Sequence, residues 1–394
     1  MATYSLAHVI RQISPSLLRS FFAKMNIDTT GISWDHIGPQ ETKPLLNFLF
    51  ELPDEVRLSV EGTLREVHEM ASFLGMESFN SAAKILHVLE WSAPFTKRVP
   101  LINKALWVWI YYKDMFDFAK SMHLVEHASW WSKRMGLPHD EPQWNPTVKE
   151  NLESQLEEFF LENQGRGHRC TVEMQNYGDC MYYFLAYTDD YVQNILVHDD
   201  SGEVVSKKTR PTFIVIYAYN MNEGSLEIHV QGTAHTRKEL EDIFIETIFG
   251  ESVEPPKKQP YDLSMFKNPY FTLATNPLDN VEVLVKELKF RWESESEIKY
   301  IADNKPKFIE WVKKTLNEKV LSLEMAEVVF AKLQFVFPAT EGTRRGTLTF
   351  EISVPNRCTL QGKNPKYSRI INKYLKEWKI SNETESHELV TSNR

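Results

Sequence analysis

The sequence predicts an α+β protein: an N-terminal all-helical domain followed by a mainly antiparallel β-sheet domain with packed helices. Three observations lead to this fold class. Apolar residues recur at helical spacing through residues 1–135. Residues 168–232 contain short runs rich in aromatic and β-branched residues, separated by Gly, Asn and Asp. A helical pattern over Thr236–Phe249 follows these runs, where a helix can cover one face of a sheet.

The chain of 394 residues is longer than one ordinary small domain, and its patterns divide it. We predict a helical bundle over residues 1–135, a proline-containing linker over 136–146 and an α+β domain over 147–380. Within the α+β domain, residues 251–280 hold five prolines and little periodicity, which predicts an irregular crossover and a candidate sub-domain boundary. The polar residues 381–394 predict a disordered tail.

Helical patterns make up the N-terminal domain. Ser14-Pro15 opens the first of them, since Pro is favoured in the first turn of a helix. Others cover Asp54–Leu74, Ser78–Trp91 and Val99–His123. The last of these is apolar and aromatic on several sides, which is typical of a central helix, so its aromatic residues are predicted to be core.

The α+β domain begins with an acidic helix, Thr147–Asn163, whose glutamates are predicted to form a solvated face. The predicted strands are Arg169–Gln175, Met181–Tyr187, Pro211–Tyr219, Ser225–Gln231, Val281–Trp292, Ala326–Phe337 and Thr347–Val354. Further helices are predicted over Pro306–Leu316 and Asn364–Lys379. Two stretches, Phe213–Phe249 and Val329–Lys379, share the order strand, turn, strand, helix. They predict either a doubled ββα unit or two unrelated hairpins that happen to precede helices.

Composition restricts the setting of the protein. The net charge of −9 argues against a general nucleic-acid coat but leaves a local basic site open. Three cysteines, an odd number, indicate reduced thiols in a cytosol rather than disulfides. The N-terminus lacks the pattern of a signal peptide. The apolar run Ala105–Tyr112 is too short for a bilayer, which needs about 20 residues. We therefore expect a cytoplasmic protein without a membrane segment.

His123, Glu126 and His127 have the H-x-x-E-H spacing of inverted zinc peptidases. On a helix the two imidazoles lie one turn apart on the same face and can bind one zinc ion, with the glutamate as the base. A third ligand is required, and the sequence specifies none. The alternative is a pair of partly exposed histidines near a helix C-terminus, where the dipole favours them.

Asp279, Glu287 and Lys289 resemble the D…ExK arrangement of metal-dependent nucleases, in which carboxylates hold Mg²⁺ and the lysine supports the attacking water. In an extended strand the last two side chains point to the same face. The pattern is common, so it stands as an alternative. The chain has no phosphate-binding loop, dinucleotide fingerprint, serine-hydrolase elbow or C-x-x-C pair, and we expect no cofactor.

Positive charge is concentrated near the C-terminus, where residues 341–380 hold nine basic residues against three acidic ones. The final helix has an apolar stripe and, opposite it, a row of cations that could face phosphates. Two basic turns would extend this surface if the sheet brings them to the same side. The predicted anion-binding residues are Arg166, Arg169, Lys207, Lys208, Arg210, Arg344, Arg345, Lys366, Arg369, Lys373 and Lys376. The alternative is a solvated amphipathic helix in an acidic protein.

Three strings in the second domain resemble those of an uncharacterised family of bacterial intracellular proteins with no assigned function. They run from Gln164 to Cys170, from Tyr182 to Tyr191, and from Gly346 to Phe350 together with Asn356-Arg357-Cys358. The resemblance implies a bacterial, intracellular setting and no particular activity.

Taken together, these patterns predict a non-enzymatic regulatory or accessory protein. It would bind a partner protein or nucleic-acid phosphates through its basic C-terminal region, with the helical bundle as the protein-docking part. A metal-dependent nuclease and a zinc hydrolase are the enzymatic alternatives. The sequence leaves the identity of the partner and the oligomeric state open.

Overall fold

The computed structural model describes residues 4–38, 41–95, 98–178, 180–199, 201–250, 253–254, 259–268, 271–292, 297–302, 312, 314–315, 325–339, 345–360 and 365–382. Of residues 36, 365 and 366 it describes only the backbone. The chain divides into two compact units, Met1–His127 and Ala128–Arg394. The first unit is helical and the second combines helices with a large antiparallel sheet, which confirms the predicted α+β fold class.

The first unit is a helical bundle. Its described α-helices are α1 Leu6–Gln12, α2 Pro15–Lys24, α3 Lys43–Glu51, α4 Asp54–Met70, α5 Phe73–Ile85, α6 Leu101–Tyr111 and α7 Lys113–His127. The helices bury apolar stripes, as α4 does with Val60, Leu64 and Val67 at the spacing of one helical face. Phe116 of α7 is fully buried, as predicted, whereas Tyr111 at the end of α6 is 50% exposed.

Two long helical patterns of the sequence are each divided in the structure. The pattern Asp54–Leu74 breaks after Met70, because Ser72 caps the next helix by accepting a hydrogen bond from the amide of Gly75. A Cβ atom at Gly75 would lie 2.1 Å from the carbonyl oxygen of Met70, so only glycine fits this approach. The pattern Val99–His123 breaks at Tyr112, whose φ of −138° and ψ of 57° are not helical.

The second unit contains three α-helices in its described residues: α8 Pro146–Gln164, α9 Ala234–Phe249 and α10 Pro365–Glu377. Its strands are β1 Trp131–Met135, β2 Cys170–Asn176, β3 Met181–Asp189, β4 Gln193–His198, β5 Val204–Thr209, β6 Thr212–Asn220, β7 Ser225–His229, β8 Glu282–Arg291, β9 Glu297–Ile301, β10 Glu327–Phe337, β11 Gly346–Ser353 and β12 Arg357–Cys358. Ten of them form one antiparallel sheet in the order β2-β3-β6-β7-β1-β12-β11-β10-β8-β9. The remaining two, β4 and β5, form a separate two-stranded sheet among the described strands.

The helices cover opposite faces of the two halves of this sheet. Ser132 of β1 donates a hydrogen bond to Glu241 of α9, and Ser132 pairs directly with Arg357, which pairs with Ser353. Directly paired residues share a face and neighbours along a strand alternate, so Ile352 faces the other way. Ile352 is fully buried in the core that contains α10. The helices α8 and α9 instead form a core with β2, β3, β6 and β7.

Both predicted ββα units are present in the sheet domain. They are β6–β7–α9 and β10–β11–α10, and each helix packs on the half of the sheet that contains its own strands. The central strands β1 and β12 separate the two halves. That the units arose by duplication stays a prediction.

The boundary between the two domains differs from the prediction. Residues 131–135, predicted to be helical, form β1 in the middle of the sheet. The segment predicted as a linker, 136–146, packs on the core of α8 and α9 through Leu137 and Trp144. The hydroxyl of Tyr219 also donates a hydrogen bond to the carbonyl of Asp140, so this segment is attached to the sheet domain and is not a free linker.

Other predictions for the second unit meet different outcomes. The described part of 251–280 lies in a core rather than at a sub-domain boundary, since Leu263 and Phe266 are buried with α10. Strands β4, β5, β9 and β12 were not predicted. The predicted helix Pro306–Leu316, apart from residues 312, 314 and 315, and the predicted tail beyond residue 382 lie outside the described residues.

The edge strand β2 is protected by the acidic helix α8. Glu157 accepts a hydrogen bond from the amide of Cys170, and Glu153 accepts one from the amide of Val172, both at 2.7 Å. These outward amides would otherwise be free to pair with another strand. At least two of the glutamates predicted as a solvated face therefore cap the edge of the sheet.

Candidate functional site

The H-x-x-E-H string does not assemble a zinc site from the described residues. His123 and His127 lie on α7 with ring centroids 4.1 Å apart, and burial followed by the neighbouring imidazole lowers the pKa of His123 to about 4. Glu126 turns elsewhere and accepts a hydrogen bond from the hydroxyl of Ser78 at 3.0 Å. No three His, Cys, Asp or Glu side chains of the described chain are placed to hold a metal ion.

The three residues of the nuclease pattern lie on different sides of the sheet. Asp279 accepts a hydrogen bond from the hydroxyl of Tyr374 on α10, and this bond is the main cause of its lowered pKa. Leu288 of β8 is fully buried on the same side, in the core with α10. Glu287 and Lys289 flank Leu288 in the strand and therefore project from the opposite face. The structure does not bring Asp279 together with them.

The terminal helix α10 has the orientation that its pattern predicts. Its apolar stripe is buried against the sheet, with the side chains of Ile371, Tyr374, Leu375 and Trp378 at most 8% exposed. The opposite stripe, which we call the α10 row, consists of Lys366, Arg369, Lys373 and Lys376.

Acidic side chains neutralise part of the α10 row. The ammonium of Lys373 lies 2.9 Å from a carboxylate oxygen of Asp279, and that of Lys376 lies 4.0 Å from one of Glu223. Arg369 is exposed. The side chain of Lys366 lies outside the described residues, as does all of Arg344, and Arg345 is exposed just before β11. The row therefore offers less positive charge than the sequence predicts.

The two basic turns do not extend this row. Arg166 donates to Asp190 at 2.7 Å and lies with its guanidinium 3.8 Å from the ring centroid of Phe213, so it is a structural residue. Arg169 and Arg210 both lie within 4 Å of one carboxylate oxygen of Asp189.

Position in the sheet separates these turns from the α10 row. Arg210 and the exposed Lys207 and Lys208 precede the first residue of β6, whereas Glu223, the partner of Lys376, follows its last residue. A strand of nine residues is about 27 Å long. The predicted anion-binding residues therefore form at least two separate groups.

A cavity of about 440 Å³ brings together basic residues that the sequence keeps apart. It opens where β1, the turn between β11 and β12, and the first turns of α9 meet. Its charged lining includes Arg134 of β1, Arg237 of α9 and Arg357 of β12, together with Glu241 of α9. We call this site the arginine cavity. Ala234, the first residue of α9, also lines it, so the positive end of the helix dipole adds to its field.

The arginines of the cavity are only partly satisfied. Arg134, 7% exposed, donates to Asp242 at 2.7 Å and to the carbonyl of Val253. Arg237, 8% exposed, donates to the carbonyl of Gly232 at 2.7 Å. Among the residues that the structure describes, the Nε atoms of Arg134 and Arg357 have no hydrogen-bond partner.

Electrostatics in the cavity favour a negatively charged ligand. Burial lowers the pKa of Arg237, the like charge of Arg357 lowers it further, and the carboxyl of Glu241 opposes both. In the described chain neither of these two guanidinium groups forms an ion pair with a carboxylate. An anion between them would relieve their repulsion and accept their free donors, as in known bidentate arginine sites.

Glu241 adds a titratable group to the cavity. It is 6% exposed, and burial raises its pKa to about 7, against the opposing hydrogen bond from Ser132 and the charge of Arg134. Near neutral pH the carboxyl can therefore either donate a proton to a bound oxygen or repel it as a carboxylate. Such a perturbed acid in a cleft is typical of functional sites, although ion-pair networks also produce it.

Sequence reasoning missed this site because its residues come from three distant segments. Arg134 lies in a stretch predicted to be helical, Arg237 in an ordinary helix, and Arg357 was counted only in the C-terminal charge. One local signal existed, since Lys133 and Arg134 place two adjacent charges between the apolar residues Trp131 and Met135.

A search of protein-family models finds no family that matches the chain, and a search of the curated proteins finds no significant relative. The arginine cavity is therefore interpreted from its own residues.

Proposed function

We propose that this protein binds a phosphorylated small molecule in the arginine cavity and acts as a non-enzymatic regulatory or accessory protein. The observation that supports the proposal is the neighbouring pair Arg237 and Arg357, one buried and one half-buried, which form no ion pair in the described chain although the charge of Glu241 acts on Arg237. Guanidinium groups bind phosphate oxygens through two parallel hydrogen bonds. The volume of about 440 Å³ lies within the range of small-ligand sites.

The cavity is the better candidate for phosphate binding than the α10 row. Lys373 and Lys376 already lie near Asp279 and Glu223, so a phosphate would have to compete with these carboxylates. Phosphates of an extended nucleic acid also need a continuous basic surface, and the predicted basic residues are dispersed. The sequence also predicts that the basic C-terminal region binds a partner protein. This stays a proposal, and the described residues mark no particular binding surface for it.

Isothermal titration calorimetry with inorganic phosphate and with adenosine 5′-monophosphate tests the proposed function. Arg357→Ala should weaken the binding of both probes about 10- to 100-fold, since it removes a charge-assisted hydrogen bond. Lys373→Ala, the matched control in the α10 row, should leave the affinities unchanged. Equal binding by wild type and Arg357→Ala, or no binding of either probe to wild type, would contradict the proposal.

A further inference from the structure

Strands β4 and β5 form an arm that projects from the connection between β3 and β6. The two strands pair with each other over six residue pairs, from Gln193 with Thr209 to His198 with Val204. Within the described residues they make no pairing with the ten-stranded sheet. Almost every residue of the arm is exposed.

In the part of the chain that the structure describes, hydrogen bonds attach the arm at its base. The amide of Asp190 donates to the carbonyl of Pro211 at 2.8 Å, and the hydroxyl of Tyr191 donates to the carbonyl of Gln164 at 2.8 Å. An isolated two-stranded hairpin is marginally stable in water. This hairpin nevertheless exposes large apolar side chains, including Leu196 at 77% and Val204 at 62%. Such a group of exposed apolar residues marks an interaction surface.

The edge of β4 differs from the other free strand edges of the described chain. The amides of β2 are capped by Glu153 and Glu157, and β5 carries adjacent lysines, which discourage pairing at an edge. Strand β9 carries Glu297 and Lys299. Strand β4, with the sequence QNILVH, has no proline, lysine, arginine or carboxylate.

The hydrogen bonding inside the arm shows which groups of β4 are available. The amide of Asp199 donates to the carbonyl of Glu203, so this pair is hydrogen-bonded. Paired residues alternate between hydrogen-bonded and non-hydrogen-bonded positions in an antiparallel ladder. The backbone groups of Asn194, Leu196 and His198 therefore point away from β5.

We propose that this edge pairs with the same edge of a second copy of the chain. The two β4 strands run antiparallel about a two-fold axis at Leu196, which gives a four-stranded sheet with β5 of each copy on the outside. The outward-pointing backbone groups of the two strands can form hydrogen bonds when Leu196 lies opposite Leu196 of the second copy. A register shifted by an even number of residues also aligns them, whereas an odd shift does not. A two-fold interface of this kind closes on itself and stops at a dimer.

The charge distribution of the arm favours an antiparallel pair of copies. Its tip carries Asp199 and Glu203, and its other end carries the exposed Lys207 and Lys208, whereas Arg210 there lies near Asp189. Antiparallel pairing places the acidic tip of each arm beside the basic end of the other, whereas parallel pairing would place like charges together. Pairing of two arms would also give a role to Lys207 and Lys208, which the structure separates from the α10 row.

The interface is small, so the dimer should be weak and sensitive to salt. Analytical ultracentrifugation of the full chain over a wide concentration range should show a reversible monomer–dimer equilibrium. Leu196→Lys places like charges across the axis and should raise the dissociation constant at least about tenfold. Val204→Lys, which adds the same charge to the same arm but on the outer strand, is the matched control and should change it less. Circular dichroism checks that both variants fold.

A cross-linking experiment tests the register. In a hydrogen-bonded antiparallel pair the Cα atoms are about 5.5 Å apart, which is within the range of a disulfide. Leu196→Cys should therefore form a covalent dimer in an oxidising glutathione buffer, and Val204→Cys should not. A wild-type protein that stays monomeric at every concentration, or a Leu196→Lys variant that dimerises like wild type, would overturn the proposal. It does not depend on the proposed anion site, since phosphate binding can be measured in the Leu196→Lys monomer.

Discussion

The arginine cavity and the α10 row are both basic, but they are built in opposite ways. The row comes from one helix, and its cations are neighbours in the sequence, exposed, and partly paired with Asp279 and Glu223. The cavity comes from three segments, and two of its arginines are nine-tenths buried. The difference teaches that a count of charges along a helix locates a solvated surface more readily than a site. Charges that lack partners after burial are more informative, because burial without compensation is unfavourable.

The largest effect is expected where α10 packs on the sheet. Ile371 is fully buried there, so Ile371→Ala should lower the free energy of unfolding by about 2–5 kcal/mol through lost contacts and a cavity. Chemical denaturation measures this change. Asn372→Ala, on the exposed side of the same helix, is the control and should have little effect. Equal effects of the two substitutions would show that the helix is not anchored by its apolar side.

The free energy of unfolding of the protein should depend on pH through Glu241 of the arginine cavity. Its pKa is raised to about 7 in the folded protein, so between about pH 4.5 and 7 the folded state binds more protons than the unfolded state. This contribution to stability is present in acid and is lost as the pH rises through 7, by on the order of 2–3 kcal/mol. Glu241→Gln should flatten this part of the pH profile.

Phosphate affinity should follow the same titration. Protonated Glu241 can donate a hydrogen bond to a phosphate oxygen, and the carboxylate repels it. The phosphate itself also takes up a proton in this range, so the measurement compares two proteins. As the pH falls from 8 to 6, binding by wild type should strengthen relative to binding by Glu241→Gln. The same pH dependence in both proteins would place the ligand away from this residue.

Removal of one cavity arginine should not destabilise the empty protein. Arg357→Met keeps an apolar contact for the ring of Trp130 and relieves the repulsion on Arg237. We expect the free energy of unfolding in phosphate-free buffer to change by less than about 1 kcal/mol, with an increase as the favoured direction. A loss greater than about 2 kcal/mol would identify Arg357 as a structural residue and weaken the contrast with the row.

The smallest effect is expected in the α10 row. Lys373→Ala breaks an exposed ion pair with Asp279, and such pairs contribute little because water and salt screen them. The midpoint of thermal unfolding should scarcely move, and any shift should shrink further in high salt. A large, salt-resistant loss would show that the row is part of the core structure rather than a solvated surface.

The sequence predicted the regular elements well where one side of an element is apolar. The strand of Phe184 and Leu185 and the helix of Ile371 carry clear periodicity, and both lie within about two residues of their predicted bounds. Prediction failed at β1, a strand of five residues. Lys133 and Arg134 are buried there because ion pairs compensate their charges, and hydrophobic periodicity does not detect such pairs. It failed again at β4 and β5, whose residues are exposed on both faces.

The candidate site was beyond sequence reasoning for a related reason. Arg134 and Arg237 are 103 positions apart, and Arg237 and Arg357 are 120 apart, so only the order of strands in the sheet brings them together. The position of β1 between β7 and β12 is a long-range pairing with no local signal. The orientation of α10, by contrast, was predicted from its own sequence because amphipathicity is local.

The capped edge of the sheet has a consequence for assembly. With Glu153 and Glu157 occupying the outward amides of Cys170 and Val172, a newly made chain finds no template there on which to add a further strand. Replacing both glutamates with alanine would convert a terminated sheet into a growing end. The protein would then be expected to self-associate through this edge.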